Sequence, residues 1–578
     1  MSTPHSTTGP ISPPPDAPGL DAPAADDPAA QAFVESAVQR RQGRAGVLKS
    51  SAVYSGLTLI SRLLGFVRDL AVTATMGASA SVAADAWNTA LAFPNLFRRF
   101  FAEGAFAAAF VPAYSKSLAK DGEEVADILA ADAMATLAAA TIVLTLVAEL
   151  TMPWLMMLIA PGFAHDPTKY KLAVLLTQIT MPYLPCMAIY AHLSGVLNAR
   201  GRFVFSALAP SLLNVGTLIA VLPQKTAEGA AIAAAWGAVG SGVAQAALLW
   251  WGVRRSGARV DVRLPRLTPE IRGLIGLAIP GAIAASATQL NIFISGFLAS
   301  LVDGARTWLA VADRLYQLPL GLVGVAIGVA LLPRLSTAVQ RGDALEAQEA
   351  TDEAAVIALA LTLPAAAALV AMPFFLIDAL FTRGEFLPVD AVATSRALFF
   401  YGLGTPAFVL IRVLSPVFFA RQDTRSPMRF ALVSVAVNIV AGSALFFALN
   451  RVETGGARGA EGIAAATALA SWINVGQIVW TLRKRGLWRP SAAAVSRLWR
   501  TLAAAVLMGG VMAAASATRS AWEPLLWRKE IALAAAVGVG GVVYAALVLL
   551  LRVVTIAELK GAVRRRPGDK AVSSSSEA

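Results

Sequence analysis

The stretch "AFPNLFRRFFAEGAF" (residues 92–106) carries Arg98, Arg99 and Glu103 in the middle of a long apolar segment. Its apolar residues are typical of a helix that crosses a lipid bilayer. A charge at the centre of such a helix is costly, since insertion scales assign about 2.5–3.5 kcal/mol to each arginine there. The stretch therefore predicts a membrane helix whose charged side chains face a bundle interior or a water-filled cavity.

The composition of the whole chain also indicates a membrane protein. Of the 578 residues, 57% are hydrophobic and 15% are charged, whereas soluble domains contain about 25% charged residues. The formal net charge is +12, but the basic residues fall in short clusters between apolar runs, so we expect no nucleic-acid partner. Cys186 is the only cysteine and the three histidines are scattered, so we expect no metal site and no cofactor.

Fourteen segments are long and apolar enough to cross a bilayer, which takes about 20 residues of helix. They are residues 47–77, 80–115, 124–160, 169–198, 204–223, 228–252, 269–301, 305–333, 348–380, 390–420, 427–449, 459–482, 498–517 and 529–554. An even number of spans places both termini on one side of the membrane. Residues 1–46, rich in Pro, Ala, Asp and Ser, are expected to form a disordered tail there, and residues 556–578 a second tail.

The basic residues indicate which side that is. Most of the 48 Lys and Arg residues lie in the tails and loops on the side of the termini, in runs such as "RRSGARVDVRLPR" (254–266), "RKRGLWR" (483–489) and "RRRPGDK" (564–570). Cytoplasmic loops of membrane proteins carry such an excess of basic residues. The sequence therefore predicts a multi-pass membrane protein with both termini in the cytoplasm.

Short passages recur at a constant offset, which indicates an internal duplication. Pro112 and Pro333 lie at equivalent places in the similar passages "AFVPAYSKSLAKDGE" and "ALLPRLSTAVQRGDA". Arg200 in "NARGRF" and Arg421 in "FARQDT" are separated by the same length of chain as the two prolines. Six spans lie between equivalent positions, so both copies have the same orientation in the membrane.

The duplication predicts an all-α polytopic membrane protein of about fourteen transmembrane helices. Two pseudo-symmetric six-helix lobes, at residues 47–252 and 253–484, are expected to surround a central cavity. Two further helices follow in residues 485–555.

The depth of each charge within its span separates the candidate site residues. Arg62 lies near the middle of the first span, Arg98 and Arg99 lie mid-span in the second, and Arg314 lies inside the eighth. Arg396 is close enough to the end of its span to extend towards the surface. The other two arginines within spans, followed by the nearby acids, are Arg68 and Arg412, then Asp69, Asp85, Glu103 and Asp313.

Two interpretations of these charges remain open at this point. Arg99 and Glu103 are four residues apart and can pair along the helix, and Arg62 and Asp69 are seven apart, so they share a helix face. The arginines could therefore lock helices together by pairing with acids. Alternatively, they line a water-filled cavity with excess positive charge that receives an anion, and the planar arginine fork suits phosphate.

A long passage resembles a known family. The run "SRLLGFVRDLAVTATMGASASVAADAWNTALAFPNLFRRFFAEGAFAAAFVPAYSK" (61–116) is similar to the MurJ (MviN) family of lipid II flippases, within the multidrug/oligosaccharidyl-lipid/polysaccharide exporter superfamily. Further similar passages are "APGF" (160–163), "ADRLYQLPLGLVGVAIGVALLPRLS" (312–336) and "ARQDTRSP" (420–427). The resemblance covers residues 47–555.

The resemblance implies a protein of the bacterial inner membrane that is not an enzyme. Such a protein moves lipid II, the undecaprenyl-diphosphate-linked muropeptide, from the cytoplasmic to the periplasmic leaflet by alternating access, with lipid II and membrane lipids as its partners. The last helix pair (485–555) would form a groove for the lipid tail. The residues that would bind the diphosphate are Arg62, Arg68, Arg98 and Arg314. Asp85 and Glu103 match acids of the family, and we expect them to gate the cavity by pairing with arginines in one state and releasing them in the other. Together with the pairs suggested by spacing, the residues expected to gate the cavity or to pair charges are Asp69, Asp85, Arg99, Glu103 and Asp313.

The chain departs from some members of the resembled family at a sodium site. Such members use an acid in the seventh helix and an Asn and an Asp in the eleventh. Here residues 279–300 contain no acid, and Asn438 is followed one turn later by Gly442. A sodium site of that kind is therefore not expected. The membrane potential acting on a charged cavity, about 2.3 kcal/mol per charge per 100 mV, is a simpler driving force.

Alternative functions come from the same and from other classes. A flippase for another polyprenyl-diphosphate glycan would need the same arginine chemistry. A cation-coupled drug exporter of the superfamily would need acids and aromatic residues around its cargo, whereas the mid-span charges here are mostly positive. An enzyme acting on lipid-linked sugars would need a carboxylate or metal cluster. A purely structural membrane protein would not explain the mid-span arginines.

Overall fold

The computed structural model describes residues 56–101, 105–452 and 458–553. Regular structure in these residues is entirely helical, with no strand among them. A chain in lipid has no water to satisfy its backbone N–H and C=O groups, and a helix satisfies them within one segment. The predicted all-α membrane fold is confirmed.

Eighteen α-helices follow one another in the described residues. The first eight are α1 (56–76), α2 (Ala83–Phe101), α3 (Ala105–Lys120), α4 (Glu123–Ile159), α5 (Pro167–Thr180), α6 (Tyr183–Ala199), α7 (Phe203–Val221) and α8 (Ala227–Arg255). The next seven are α9 (Pro269–Ala299), α10 (Ala305–Gln340), α11 (Ala344–Ala371), α12 (Pro373–Phe381), α13 (Pro388–Phe419), α14 (Arg425–Val452) and α15 (Gly459–Lys484). The last three are α16 (Ala492–Ala517), α17 (Arg519–Trp522) and α18 (Lys529–Leu550), and short 3-10 helices lie at Pro161–His165 and Glu523–Leu526.

Ten helical segments of the described chain are long and apolar enough to cross a membrane, counting α5 and α6 as one segment. The four remaining predicted spans coincide with α1, with α2 and α3, with α9, and with α10. Three of these positions carry the charges that the sequence places at mid-span. The total of fourteen spans stays a prediction.

Two segments predicted as single spans are each a pair of helices. The span at 348–380 divides at Met372, whose backbone (φ −138°, ψ 47°) is not helical, and Pro373 then opens α12. A proline disfavours the helical conformation of the residue before it, which accounts for the break. The span at 169–198 divides at the turn of Met181 and Pro182, where the proline has no N–H to donate.

Small residues bring the helices close together. The packing of α2 against α5 and α8 uses an alanine-rich set of buried residues, which lets the backbones approach. This set includes Ala83, Ala86, Ala90, Ala173, Ala230, Ala234 and Ala238. A separate buried cluster joins α16 and α18 to α11 and α12 through Met508, Met512, Leu533, Phe375 and Ala368. The predicted lobe boundaries stay a prediction, and the tails 1–46 and 556–578 lie outside the described residues.

Candidate functional site

A cavity of about 190 Å³ lies among α1, α2 and α10. Four of the residues predicted from sequence line it, namely Arg68 and Asp69 of α1 and Asp313 and Arg314 of α10. Its remaining wall is mixed in polarity and comes mainly from α1, α2 and α10, with Phe381 of α12 at one side. The other lining residues are Val72, Thr73, Gly77, Ala84, Trp87, Asn88, Leu91, Thr307, Ala310, Val311 and Phe381.

Two arginines from different helices converge on one carboxylate in this cavity. Oδ1 of Asp69 accepts hydrogen bonds from Nε of Arg68 at 3.0 Å and from its Nη2 at 2.6 Å. Oδ2 of the same carboxylate accepts from Nε of Arg314. The side chains of Arg68, Asp69 and Arg314 are 11%, 22% and 36% exposed. Asp69 is therefore an anion bound by two guanidinium groups, one from α1 and one from α10.

The charges that line the cavity are balanced. Arg68 and Arg314 face Asp69 and Asp313, and the Asp313 carboxylate also accepts a hydrogen bond from Gln317. The predicted excess of positive charge therefore depends on arginines beyond this set. Arg98 and Arg99 belong to the last turn of α2, but their side chains, and the whole of Glu103, lie outside the described residues.

Arg62 lies on the same helix as Arg68, about 9 Å away along the axis at 1.5 Å per residue. Its guanidinium fills the space beside Gly321 of α10, where an added Cβ would collide with Nη1. Arg412 of α13 is close enough to Arg62 for the two positive charges to repel each other. Arg62 is thus placed on the α1–α10 interface without lining the cavity, and Asp69, seven residues away, is bonded to Arg68 and Arg314 instead.

Asp85 lies in the first turn of α2. It is fully buried outside the cavity, and its cationic partner is Lys169, whose Nζ lies 2.8 Å from Oδ2. Oδ2 also accepts from the backbone N–H of Gly304 at 2.8 Å. Oδ1 accepts from the backbone N–H of Thr307 at 3.1 Å and from its hydroxyl at 2.8 Å. In this structure Asp85 is therefore held by a lysine and by the start of α10, where free N–H groups favour an anion. Its predicted gating role stays a prediction.

The same end of the bundle is joined by a second buried carboxylate. Oδ1 of Asp390, in the first turn of α13, accepts from the Ser79 hydroxyl at 2.5 Å and from Trp308 Nε1 at 2.9 Å. Nearby, the backbone N–H of Glu385 donates to the carbonyl of Ala74 at 2.9 Å. We call the contacts made by Asp85, Lys169 and Asp390 the junction. It joins α2, α5 and the loop before α2 to the starts of α10 and α13, and it meets the cavity at Thr307.

Sequence reasoning missed two residues of the junction. Lys169 lies at the edge of a predicted span, where basic residues are common, so its type alone gave no sign of burial. Asp390 lies at the start of α13, and the sequence offers only the general preference of acids for the first turn of a helix.

The region compared with a sodium site contains neutral side chains. Nδ2 of Asn438 donates to Oδ1 of Asn291 at 2.7 Å, and the Thr467 hydroxyl donates to Oδ1 of Asn438 at 3.4 Å. Gly442 has no side chain that could supply a ligand. A buried cation needs carboxylates or several oxygen ligands to offset its desolvation, so the described side chains here do not fit such an ion.

Comparison with known proteins identifies the family. The family model described as "Lipid II flippase MurJ" matches residues 72–551, which is most of the chain. The chain belongs to the MurJ lipid II flippase family. The family resemblance of residues 61–116 is thereby confirmed, and the chain is a multi-pass membrane protein of a transporter family.

Curated MurJ relatives match over most of their length. A probable lipid II flippase MurJ of Rhizobium meliloti (strain 1021) is 42% identical over 472 residues, covering 81% of this chain and 86% of the relative. One from Rhizobium tropici is 40% identical, covering 83% and 88%. One from Vibrio cholerae is 32% identical, covering 89% and 98%.

Solved structures show the same fold. A lipid II flippase MurJ in an inward closed conformation superimposes with a TM-score of 0.69 at 22% identity, covering 86% of this chain and 98% of that one. An inward-facing multidrug resistance transporter of the MATE family gives a TM-score of 0.58 at 15% identity, covering 75% and 98%. The MurJ fold and the MATE fold thus share the architecture found here.

Proposed function

We propose that the protein is a lipid II flippase of the bacterial inner membrane. It would move the undecaprenyl-diphosphate-linked muropeptide from the cytoplasmic to the periplasmic leaflet. Membership of the MurJ family and the similarity to MurJ relatives over more than four fifths of the chain support this proposal. The charged cavity among α1, α2 and α10 supports a cargo with an anionic group.

The observation that carries the proposal is the convergence of Arg68 and Arg314 on Asp69. Two guanidinium groups from different helices hold one carboxylate, which is the geometry that also binds phosphate oxygens. The diphosphate of lipid II would compete with Asp69 for these donors. Within the described residues, Arg314 uses only its Nε in hydrogen bonds, so both of its Nη groups can serve the cargo.

Arg62 and Arg98 complete the proposed diphosphate site. Arg62 precedes Arg68 on α1 and would meet the diphosphate nearer the cytoplasm. Arg98 lies towards the end of α2, the helix whose earlier turns line the cavity through Trp87 and Leu91. Together with Arg68 and Arg314 they would supply the excess positive charge that the balanced cavity lining lacks.

The lipid tail would remain outside the two lobes. Large apolar side chains on α16 and α18 are exposed, including Val506, Leu507 and Val542. Exposed apolar surface of this extent on membrane helices suits contact with acyl or polyprenyl chains. Residues 485–555 are therefore the proposed groove for the tail, while the headgroup occupies the cavity between the lobes at 47–252 and 253–484.

Alternating access would operate at the junction. With both termini in the cytoplasm, the junction lies at the periplasmic end, because α1 runs from the cytoplasm towards it. The closed junction then corresponds to a cavity shut towards the periplasm. Release of lipid II requires Asp85 to part from Thr307 and Gly304. Asp69, Arg99, Glu103 and Asp313 would exchange partners as the cargo enters and leaves.

Complementation tests the proposal in living cells. The host lipid II flippase is depleted while this protein, or its Arg68→Ala or Arg314→Ala variant, is expressed, and lipid II exposed at the surface is measured. We expect rescue by the unaltered protein and a loss of at least about tenfold in exposed lipid II for each variant, the effect of losing about 1.4 kcal/mol.

Arg396→Ala is the matched control, because this arginine pairs with Glu461 near the start of α13 and is not among the residues that line the cavity. It should rescue fully. Rescue by Arg314→Ala at normal expression would overturn the assignment of the site. Failure of the well-expressed unaltered protein to rescue would instead favour another polyprenyl-diphosphate glycan as cargo.

A further inference from the structure

The internal repeat relates two charged residues of the junction. The offset that relates Pro112 to Pro333 also aligns "ADAW" (84–87) at the start of α2 with "ARTW" (305–308) at the start of α10. Ala and Trp recur at equivalent positions, and both tryptophans, Trp87 and Trp308, are buried. The remaining charged position holds Asp85 in the first copy and Arg306 in the second. The duplication therefore places opposite charges at matched sites.

Arg306 extends from α10 into the helices of the first copy. Its Nη1 donates to the Thr89 hydroxyl of α2 at 2.8 Å, and its Nη2 donates to the carbonyl of Ile159, the last residue of α4, at 2.9 Å. The guanidinium lies 5.6 Å from the centroid of the Phe163 ring. One side chain thus connects the start of α10 with α2, α4 and the 3-10 helix at Pro161–His165.

The contacts of Asp85 and Arg306 are reciprocal. Asp85 of the first copy binds the first turn of α10 through Gly304 and Thr307. Arg306 of the second copy binds Thr89 in α2, and the same Thr89 hydroxyl donates to the Asp85 carbonyl at 2.7 Å. Asp85 of the first copy therefore binds the start of α10, and Arg306 of the second copy binds α2 near its start.

Among the described residues, the charge of Arg306 is compensated at the junction. Its two hydrogen-bond acceptors are neutral oxygens, and within the described residues its Nε has no hydrogen-bond partner. Asp85 is the acid with which it interacts electrostatically. Hydrogen bonds from a charged donor are stronger than those between neutral groups. These bonds exist only while α2 and α4 lie against the start of α10, so they favour the closed junction.

We propose that Arg306 is a positioning residue for transport, which holds the junction closed together with Asp85. Opening of the cavity at this end breaks the bonds of Arg306 to Thr89 and Ile159 as well as those of Asp85 to α10. This inference rests on the proposed alternating access, but it concerns a residue that the diphosphate site does not include. Arg306 acts through Thr89 and the end of α4 and does not touch the cargo.

Cysteine labelling of the purified protein in detergent tests the proposal. Cys186→Ser removes the native thiol. Ser300→Cys introduces a thiol at a position that is 2% exposed and whose native hydroxyl accepts a hydrogen bond from the backbone N–H of Gly162 in the first copy, the copy to which Arg306 also binds. The rate of reaction with a maleimide then measures how often the junction opens. We expect Arg306→Gln to raise this rate at least tenfold, which corresponds to about 1.4 kcal/mol.

The matched control is Arg396→Gln at the same end of the bundle. Arg396 pairs with Glu461 between α13 and α15, and among the described residues it has no hydrogen bond or ion pair with the first copy, so the labelling rate should stay unchanged. An unchanged or lower rate in Arg306→Gln would overturn the proposal. A rise of equal size in Arg396→Gln would also overturn it, because the effect would then be general loosening.

A second variant keeps the test valid if Arg306→Gln fails to fold. Thr89→Val preserves the shape of the acceptor residue, removes its hydroxyl and leaves Arg306 in place. It should raise the labelling rate by a smaller factor than Arg306→Gln does. An unchanged rate would overturn the proposal. The labelling assay contains no lipid II. Its result therefore does not depend on whether the unaltered protein complements the flippase-depleted host.

Discussion

Nζ of Lys169 lies 2.8 Å from Oδ2 of Asp85, and the two side chains are 3% and 0% exposed. The pair joins α5 to α2 in a region from which water is excluded. Both oxygens of the Asp85 carboxylate also accept hydrogen bonds from the start of α10. Asp303 lies 2.9 Å from the same Nζ, but its side chain is 84% exposed. Asp85 is therefore the partner that determines the cost of losing the lysine.

Lys169→Met is expected to destabilise the protein by about 3–5 kcal/mol, the cost of leaving one member of a buried ion pair without its partner. The double variant Lys169→Met, Asp85→Asn should be less destabilised than Lys169→Met alone, because it buries no unpaired charge. Tryptophan fluorescence during thermal unfolding in detergent measures both. A double variant whose stability loss equals the sum of the two single losses would contradict this account.

The sequence predicted which charged residues line the cavity better than it predicted the hydrogen bonds between them. Mid-span charge marked Arg68, Asp69 and Arg314 as site candidates, because charge in lipid is costly wherever the helices pack. The sharing of Asp69 by two arginines depends on how α1 and α10 approach each other, and helix contacts of this range leave no local signal. For that reason the seven-residue spacing of Arg62 and Asp69 predicted a common face but not a contact.

Asp85 shows a second limit of sequence reasoning. Because Asp85 matches an acid of the resembled family, we expected it to pair with arginines in one state. The structure instead brings Lys169 to it from a distant part of the same lobe, together with the start of α10 from the second copy of the repeat. Helix-end N–H groups carry no residue-type signature, so the anchoring of a carboxylate by a distant helix start could not be predicted.

Asp69→Asn is expected to tighten the binding of a polyprenyl diphosphate by about tenfold, or about 1.4 kcal/mol. The amide keeps the shape of the side chain but no longer competes as an anion for Arg68 and Arg314. Quenching of tryptophan fluorescence reports binding, because Trp87 lines the cavity. Asp303→Asn is the control, since this exposed carboxylate lies outside the cavity. Equal affinities for Asp69→Asn and the unaltered protein would show that Asp69 does not compete with the cargo.

Transport is expected to proceed at an unchanged rate when Na⁺ is replaced by K⁺. Asn291, Asn438 and Thr467 form a neutral hydrogen-bonded group, and a monovalent cation there would lack a compensating carboxylate. The measurement is the appearance of lipid II in the outer leaflet of proteoliposomes at a fixed membrane potential. A loss of transport in K⁺ that Na⁺ restores would contradict the prediction and require a cation site elsewhere.

Gly321→Ala is expected to impair transport as strongly as Arg62→Ala while leaving the protein folded. A Cβ at position 321 would collide with Nη1 of Arg62, so the guanidinium must leave its place on α10. The displaced group is the far end of a flexible side chain, and alanine favours a helix more than glycine does by about 1 kcal/mol. The stability of the fold should therefore be kept, and only the position of the charge should change.

The control for Gly321→Ala is Gly276→Ala in α9, where an added Cβ meets no atom within 4 Å. This variant should transport lipid II like the unaltered protein. Both variants are compared in the flippase-depleted host, with expression levels and surface-exposed lipid II measured in the same cells. If Gly321→Ala supports transport at the unaltered rate, the place of Arg62 beside α10 is not needed, and the proposed diphosphate site contracts to Arg68, Arg98 and Arg314.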